Sequence, residues 1–164
     1  MRHKKVSKRK ISPDPRYQSE QIAKFINYIM RRGKKTVAQK IVYGALDLIK
    51  EKTKKNPQET FDQAIINITP SVEVKSRRIG GGNFQVPIPV GKERGFALSS
   101  RWLIDAAQGR KGKPMMEKLA NEILSALKGE GAAIKKKEDV HRMAEANKAF
   151  AHFARFGRRK SAIL

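Results

Sequence analysis

Apolar residues recur every three to four positions along most of the chain and at alternate positions in one segment. From Ser19, placed to cap a helix, Ile22, Phe25, Ile26 and Ile29 repeat at helical spacing until Gly33. "TVAQ" at 36 to 39 has the form of a capping box, and Val37, Ile41, Ala45, Leu48 and Ile49 follow as one stripe, predicting a second helix. "NPQE" at 56 to 59 opens a third. There Asn56 caps, Pro57 suits the first helical position, Glu59 favours the N-terminal dipole, and Phe61, Ile65 and Ile68 form a buried face before Pro70. Further helices are predicted over 96–108, over 114–129 with Met116, Leu119, Ile123 and Leu127 on one side, and from about 138 to 155. The last carries Val140, Met143, Ala144, Phe150 and Ala154 near one face.

The alternating segment is "VEVKSRRIGGGNFQVPIPV", 72 to 90, two β-runs around a triple glycine. Phe84, Val86, Ile88 and Val90 share one face of its second run, and Val72 and Val74 are expected to oppose them, giving the hairpin an apolar base. Toward the tip Lys75, Arg77 and Arg78 precede Gly80, Gly81 and Gly82, so the distal half is expected to lean on a polyanion rather than on a protein core. Pro87 and Pro89, two residues apart, put both missing N–H donors on one edge, which must be the free edge of a two-stranded ribbon. The fold class is therefore mainly α: a helical body with a β-hairpin arm over 19–156, a basic N-terminal arm over 1–18 and a basic tail over 157–164.

Charge changes the picture from fold to partner. The formal net charge is +22, from 37 Lys and Arg against 15 Asp and Glu. Such a chain repels itself unless a polyanion is present, and nucleic acid fits best because neutralising phosphates releases counterions whatever the base sequence. A membrane is the weaker reading, since no apolar run approaches the roughly 20 residues of a spanning helix. The start, "MRHKKVSKRK", has no apolar stretch behind it and does not read as a secretory signal. With no cysteine, the chain suits a reducing compartment, and a cytoplasmic location is expected.

Candidate chemistry is sparse. "GGGN" at 80 to 83 lacks the spacing of a dinucleotide fingerprint, and neither "RGKKT" nor "KGKP" completes a phosphate-binding loop. His141 and His152 would share a helix face but sit about 16 Å apart at about 1.5 Å per residue, too far to chelate one metal. Neither an enzyme nor a cofactor or metal is expected. Trp102, within an apolar helical segment, reads as core before it reads as a stacking platform for a base. On the last helix His141, Lys148, His152 and Arg155 form a predicted phosphate-facing stripe, with Lys135, Lys136 and Lys137 just before it.

Four stretches carry a resemblance: "AKFINYIMRRGKK" (23 to 35), the hairpin segment (72 to 90), "RWLIDAA" (101 to 107) and "KKEDVHRMAEANKAFAHF" (136 to 153). In this order the chain resembles, over nearly its whole length, the universal small-subunit ribosomal protein number seven in its bacterial form. Gln21, at a position usually apolar in that family, and the ending "ARFGRRKSAIL" depart from its pattern. The resemblance implies a six-helix bundle with a protruding β-ribbon, a structural constituent of the small subunit bound to the 3′ major domain of its ribosomal RNA. It also implies help in nucleating head assembly, proximity to transfer RNA at the exit site and to the messenger RNA exit channel, and small-subunit proteins nine and eleven as neighbours. Carried onto this chain, the RNA-facing residues are Arg2, Lys4, Lys5, Lys8, Arg9, Lys10 and Arg16 in the arm, and Lys34 and Lys35 after the first helix. Lys75, Arg77 and Arg78 in the ribbon join them, with Lys92 and Arg94, Arg110, Lys111 and Lys113, and the patch Lys136, Lys137, His141 and Arg142. The alternative is an architectural DNA-binding protein with a basic β-arm, although such arms often end in an apolar wedge and this one ends in glycine.

Overall fold

The computed structural model describes residues 11–154. Three helices, α1 (Glu20–Ile29), α2 (Lys35–Thr53) and α3 (Pro57–Ile68), precede an antiparallel hairpin of β1 (Val72–Ile79) and β2 (Gly82–Pro89). Then come α4 (Lys92–Gly109), α5 (Met115–Leu127), α6 (Ala132–Ala146) and a short 3-10 segment, Lys148–Ala154. The mainly helical class with one hairpin is the one the periodicity predicts.

Local signals explain where several helices begin. The Ser19 hydroxyl accepts the Ile22 N–H at 3.4 Å, and Asn56 Oδ1 accepts the Gln58 N–H at 3.0 Å with Pro57 in the first turn. The capping box at Thr36 does not form. Arg32 (φ 52°) and Gly33 (φ 72°) turn the chain early, the helix starts at Lys35, and Thr36 falls inside its first turn. The buried face of α2 is accordingly Ala38, Val42, Ala45, Leu46 and Ile49, while Val37 is 50% exposed. Ala45 and Ile49 were on the predicted stripe; its remaining members are less deeply buried or exposed.

The core joins all six helices. α5 packs against α2, α3, α4 and α6, which is why Leu119 and Ile123 are buried. Phe25 of α1 and Phe61 of α3 meet within the core at 4.9 Å between ring centroids. Full burial of side chains this large contributes about 1.5 to 3 kcal/mol each. Trp102 is partly buried against the same cluster, as expected of a core residue.

The last helix differs most from expectation. It starts at Ala132, so Lys135, Lys136 and Lys137 are helical, and it stops at Ala146. The 3-10 segment that follows contains Lys148, Phe150 and His152, so the predicted stripe from His141 to His152 is not one helix face; Arg155 lies outside the described residues. Of the predicted apolar face only Ala144 is buried, and Met143 is 49% exposed.

Candidate nucleic-acid interface

The ribbon's register follows from its turn. Gly80 (φ 54°) and Gly81 (φ 90°) take the two positive-φ positions of a two-residue turn, conformations that suit glycine. Val72 therefore pairs with Pro89, Val74 with Pro87, Lys75 with Val86, and Arg77 with Phe84. Directly opposed residues share a face, so Val72 and Val74 lie beside the prolines, on the opposite side from Phe84, Val86 and Ile88. This corrects the expected apolar face: Glu73, Lys75 and Arg77 are what oppose Ile88, Val86 and Phe84. The Val90 N–H donates to the Ser71 carbonyl at 3.0 Å, and alternation from that pair leaves both prolines at non-hydrogen-bonded positions, their missing donors on the free edge.

The distal ribbon also has protein support. Phe84 lies 5.2 Å from Phe150 and 5.4 Å from Phe153 between centroids, both in the 3-10 segment. Its base is tied by Glu73, 8% exposed, whose carboxylate meets Lys75 Nζ at 2.6 Å and Arg94 Nη2 at 3.0 Å. Burial works against ionisation of Glu73, but hydrogen bonds from Lys75 and Arg94 outweigh it and hold the carboxyl below its usual range.

Similar pairings divide the predicted RNA-facing residues. Arg16 forks onto Asp47 of α2, Nη1 to Oδ2 at 3.0 Å and Nη2 to Oδ1 at 2.7 Å, with its guanidinium 5.4 Å from the Tyr17 ring centroid and 5.3 Å from that of Tyr43. Next to it Asp14, 3% exposed, accepts the Tyr43 hydroxyl at 2.7 Å and the N–H groups of Arg16 and Tyr17. Residues 14–17 are thus fastened to α2. Arg110 donates to the buried Glu122, Lys137 Nζ donates to the Asn67 carbonyl at 2.6 Å, and His141 Nε2 accepts the Ser71 N–H at 3.2 Å. The last two bind α6 to the last turn of α3 and to the connection that leads to the ribbon.

A second group is exposed and makes no side-chain ion pair or hydrogen bond among the described residues: Lys34, Lys35, Arg78, Lys92, Lys111 and Lys136. Lys113 and Arg142 make only long surface pairs, 3.8 Å to Glu117 and 3.7 Å to Asp139, of little energetic weight. Arg2, Lys4, Lys5, Lys8, Arg9 and Lys10 lie outside the described residues.

The fold gathers part of the exposed group at one end. Arg31 Nη2 donates to Gln108 Oε1 at 2.8 Å, linking the α1–α2 connection to the end of α4. That bond brings Lys34 and the first residue of α2, Lys35, to the same end as the loop carrying Lys111 and Lys113. Arg31 and Arg32 belong to this end although the sequence reading passed over them; the run "RRGKK" was the signal. Along the α1–α4 side the Tyr28 and Phe96 rings lie 6.3 Å apart, Arg101 stands 5.9 Å from the Tyr28 centroid, and an open groove of about 1060 Å³ is flanked by Lys24 and Lys92. Arg101 was likewise not singled out from sequence.

The family described as ribosomal protein S7p/S5e matches residues 1–148. The chain is 56% identical to the small ribosomal subunit protein uS7 of Thermotoga maritima over 93% of this chain and 99% of that one. It is 57% identical to the uS7 protein of Chromohalobacter salexigens over 93% of this chain and 97% of that one. The chain belongs to the ribosomal protein S7p/S5e family. It is a structural ribosomal protein, not an enzyme.

Membership fits the site's chemistry, which is cationic surface on a packed helical body. Among the described residues no cluster of three or more His, Asp or Glu is placed to hold a metal, and no helix is long and apolar enough to cross a membrane. His152 is engaged locally, its Nδ1 donating to the Ala149 carbonyl at 2.8 Å. For an S7p/S5e protein, what distinguishes one basic residue from another is whether the fold already uses its charge.

Proposed function

We propose that the chain is a structural constituent of the small ribosomal subunit that binds the 3′ major domain of its ribosomal RNA and helps nucleate assembly of the head. The observation that carries this reading is the separation of the cations into those bound by carboxylates or carbonyls and those left exposed at the loop end, the ribbon and α6. Lys34, Lys35, Lys111, Lys113, Arg78, Lys92, Lys136 and Arg142 supply phosphate contacts that position the protein on RNA. The basic residues of the N-terminal arm add to them. In the same reading the ribbon lies near exit-site transfer RNA and the messenger exit channel, and proteins nine and eleven are neighbours; these placements rest on the family resemblance.

The test is equilibrium binding to isolated 3′ major domain RNA, to another small-subunit RNA domain of equal length and to duplex DNA, each across a salt series. Tight binding to the first with a steep salt dependence is expected. Equal affinity for all three at moderate salt contradicts the assignment and favours non-specific binding.

A further inference from the structure

We infer that the 3-10 segment Lys148–Ala154 is a brace that fixes the direction in which the ribbon projects, and that Phe150 and Phe153 are positioning residues for Arg77 and Arg78. A lone two-stranded hairpin is marginal in water, and a ribbon attached only at its base would swing. Here a second attachment lies well out along it. Phe84 pairs directly with Arg77, four residues from the base pair of Glu73 with Ile88. Its ring meets Phe150 and Phe153, whose own rings stack at 6.2 Å with a 10° interplanar angle, and His152 lies 4.0 Å from Phe153. Tilted ring pairs at these distances contribute beyond their apolar area. A long contact of 3.5 Å from Arg77 Nη1 to the Phe153 carbonyl joins the guanidinium to the same segment.

The brace is separable from the helical core. No residue of the 3-10 segment is fully buried, and among the described elements it packs on the ribbon and the end of α6. Its rings therefore hold the ribbon without holding the bundle. Charge would be delivered by the exposed Arg78, with Arg77 beside it held to the brace, and direction by aromatic packing from a part of the chain some 70 residues away, on the scale of the 76 separating Arg77 from Phe153. The brace itself stands on geometry alone; its consequence for RNA rests on the function proposed above.

The chain has no cysteine, so thiol labels can be placed cleanly. Spin labels on N83C, at the ribbon's far end, and K50C, on the exposed side of α2, report ribbon direction as a distance distribution in the full chain. The unsubstituted background should give one narrow distribution. F150A/F153A should broaden it by roughly a factor of two while the helical signal is retained. F84A, acting from the ribbon side, should give the same broadening, and combining the three changes should add little more. An unchanged width in F150A/F153A overturns the brace, as does broadening seen only together with loss of helix. RNA binding is read in parallel: reduced affinity with an unchanged salt slope is expected of misdirected but intact cations. Broadening with no loss of RNA affinity upholds the brace and counts against the ribbon's role in RNA binding.

Discussion

Nε of Arg110 donates to Oε2 of Glu122 at 2.7 Å, and that carboxylate, fully buried in α5, gives its other oxygen to the N–H of Ala133 at 3.1 Å. One side chain thus neutralises an arginine from the α4–α5 loop and satisfies an orphan donor in the first turn of α6. Gly131 leaves room for it, since a Cβ there would stand 2.7 Å from Glu122 Oε1. Arg110 was expected to face RNA, but the fold has taken its charge.

Neighbouring cations should therefore fail in different ways. Arg110→Ala leaves Glu122 buried without its counterion and should cost about 3 kcal/mol of stability, seen as a lower unfolding midpoint in urea. Lys111→Ala should leave the midpoint unchanged and weaken RNA binding. The reverse pattern would mean that the ion pair is dispensable and that Arg110 serves RNA.

Asp14 and Tyr43 predict an alkaline transition. Burial, then the hydrogen bond and charge of Asp14, push the Tyr43 hydroxyl up to about 12, against about 10 in an unfolded chain. The raised value means the folded state holds the proton longer, so this contribution is complete below about pH 10 and is lost as pH rises toward about 12. Tyr43→Phe should remove that sensitivity and cost about 1 to 2 kcal/mol at neutral pH, because Asp14 loses a donor while buried. Absorbance titration of the tyrosines with parallel denaturation checks both statements.

Glu73 predicts the opposite sign at acid pH. Its folded-state value is depressed, so the stabilisation from Lys75 and Arg94 is complete above the ordinary carboxyl range and is lost as pH falls through the lowered one. Hydrogen exchange at β1 should accelerate there ahead of the helices, and Glu73→Gln should be fast already at neutral pH. Equal protection of β1 and helices down to acid unfolding would show that this cluster does not secure the ribbon.

Legibility followed the range of the interaction. α3 could be read closely because Asn56, Pro57 and Glu59 act within one turn, and the two prolines of the ribbon kept the edge assigned to them. The hairpin faces could not, because three consecutive glycines left open whether two or all three would form the turn, and a three-residue turn would place Val72 and Val74 opposite Val90 and Ile88 instead of Pro89 and Pro87. The start of α6 was missed because its support comes from Glu122 on another helix. The basic residues could be named from sequence, but not their division: Arg16 is 31 positions from Asp47 and Lys137 is 70 from Asn67. Lysine and arginine look alike in sequence whether a carboxylate or a phosphate awaits them.

The central claim is that the exposed, unshared cations bind RNA and the paired ones hold the fold. Its most direct test is the salt dependence of 3′ major domain RNA binding by the K34A/K35A/K111A/K113A variant, with thermal unfolding measured on the same samples. Each lost phosphate contact should flatten the log-log slope by roughly 0.7 to 0.9, so four should flatten it by roughly 3, at an unchanged melting temperature. An unchanged slope, or a slope that falls only as the protein loses stability, would contradict the account.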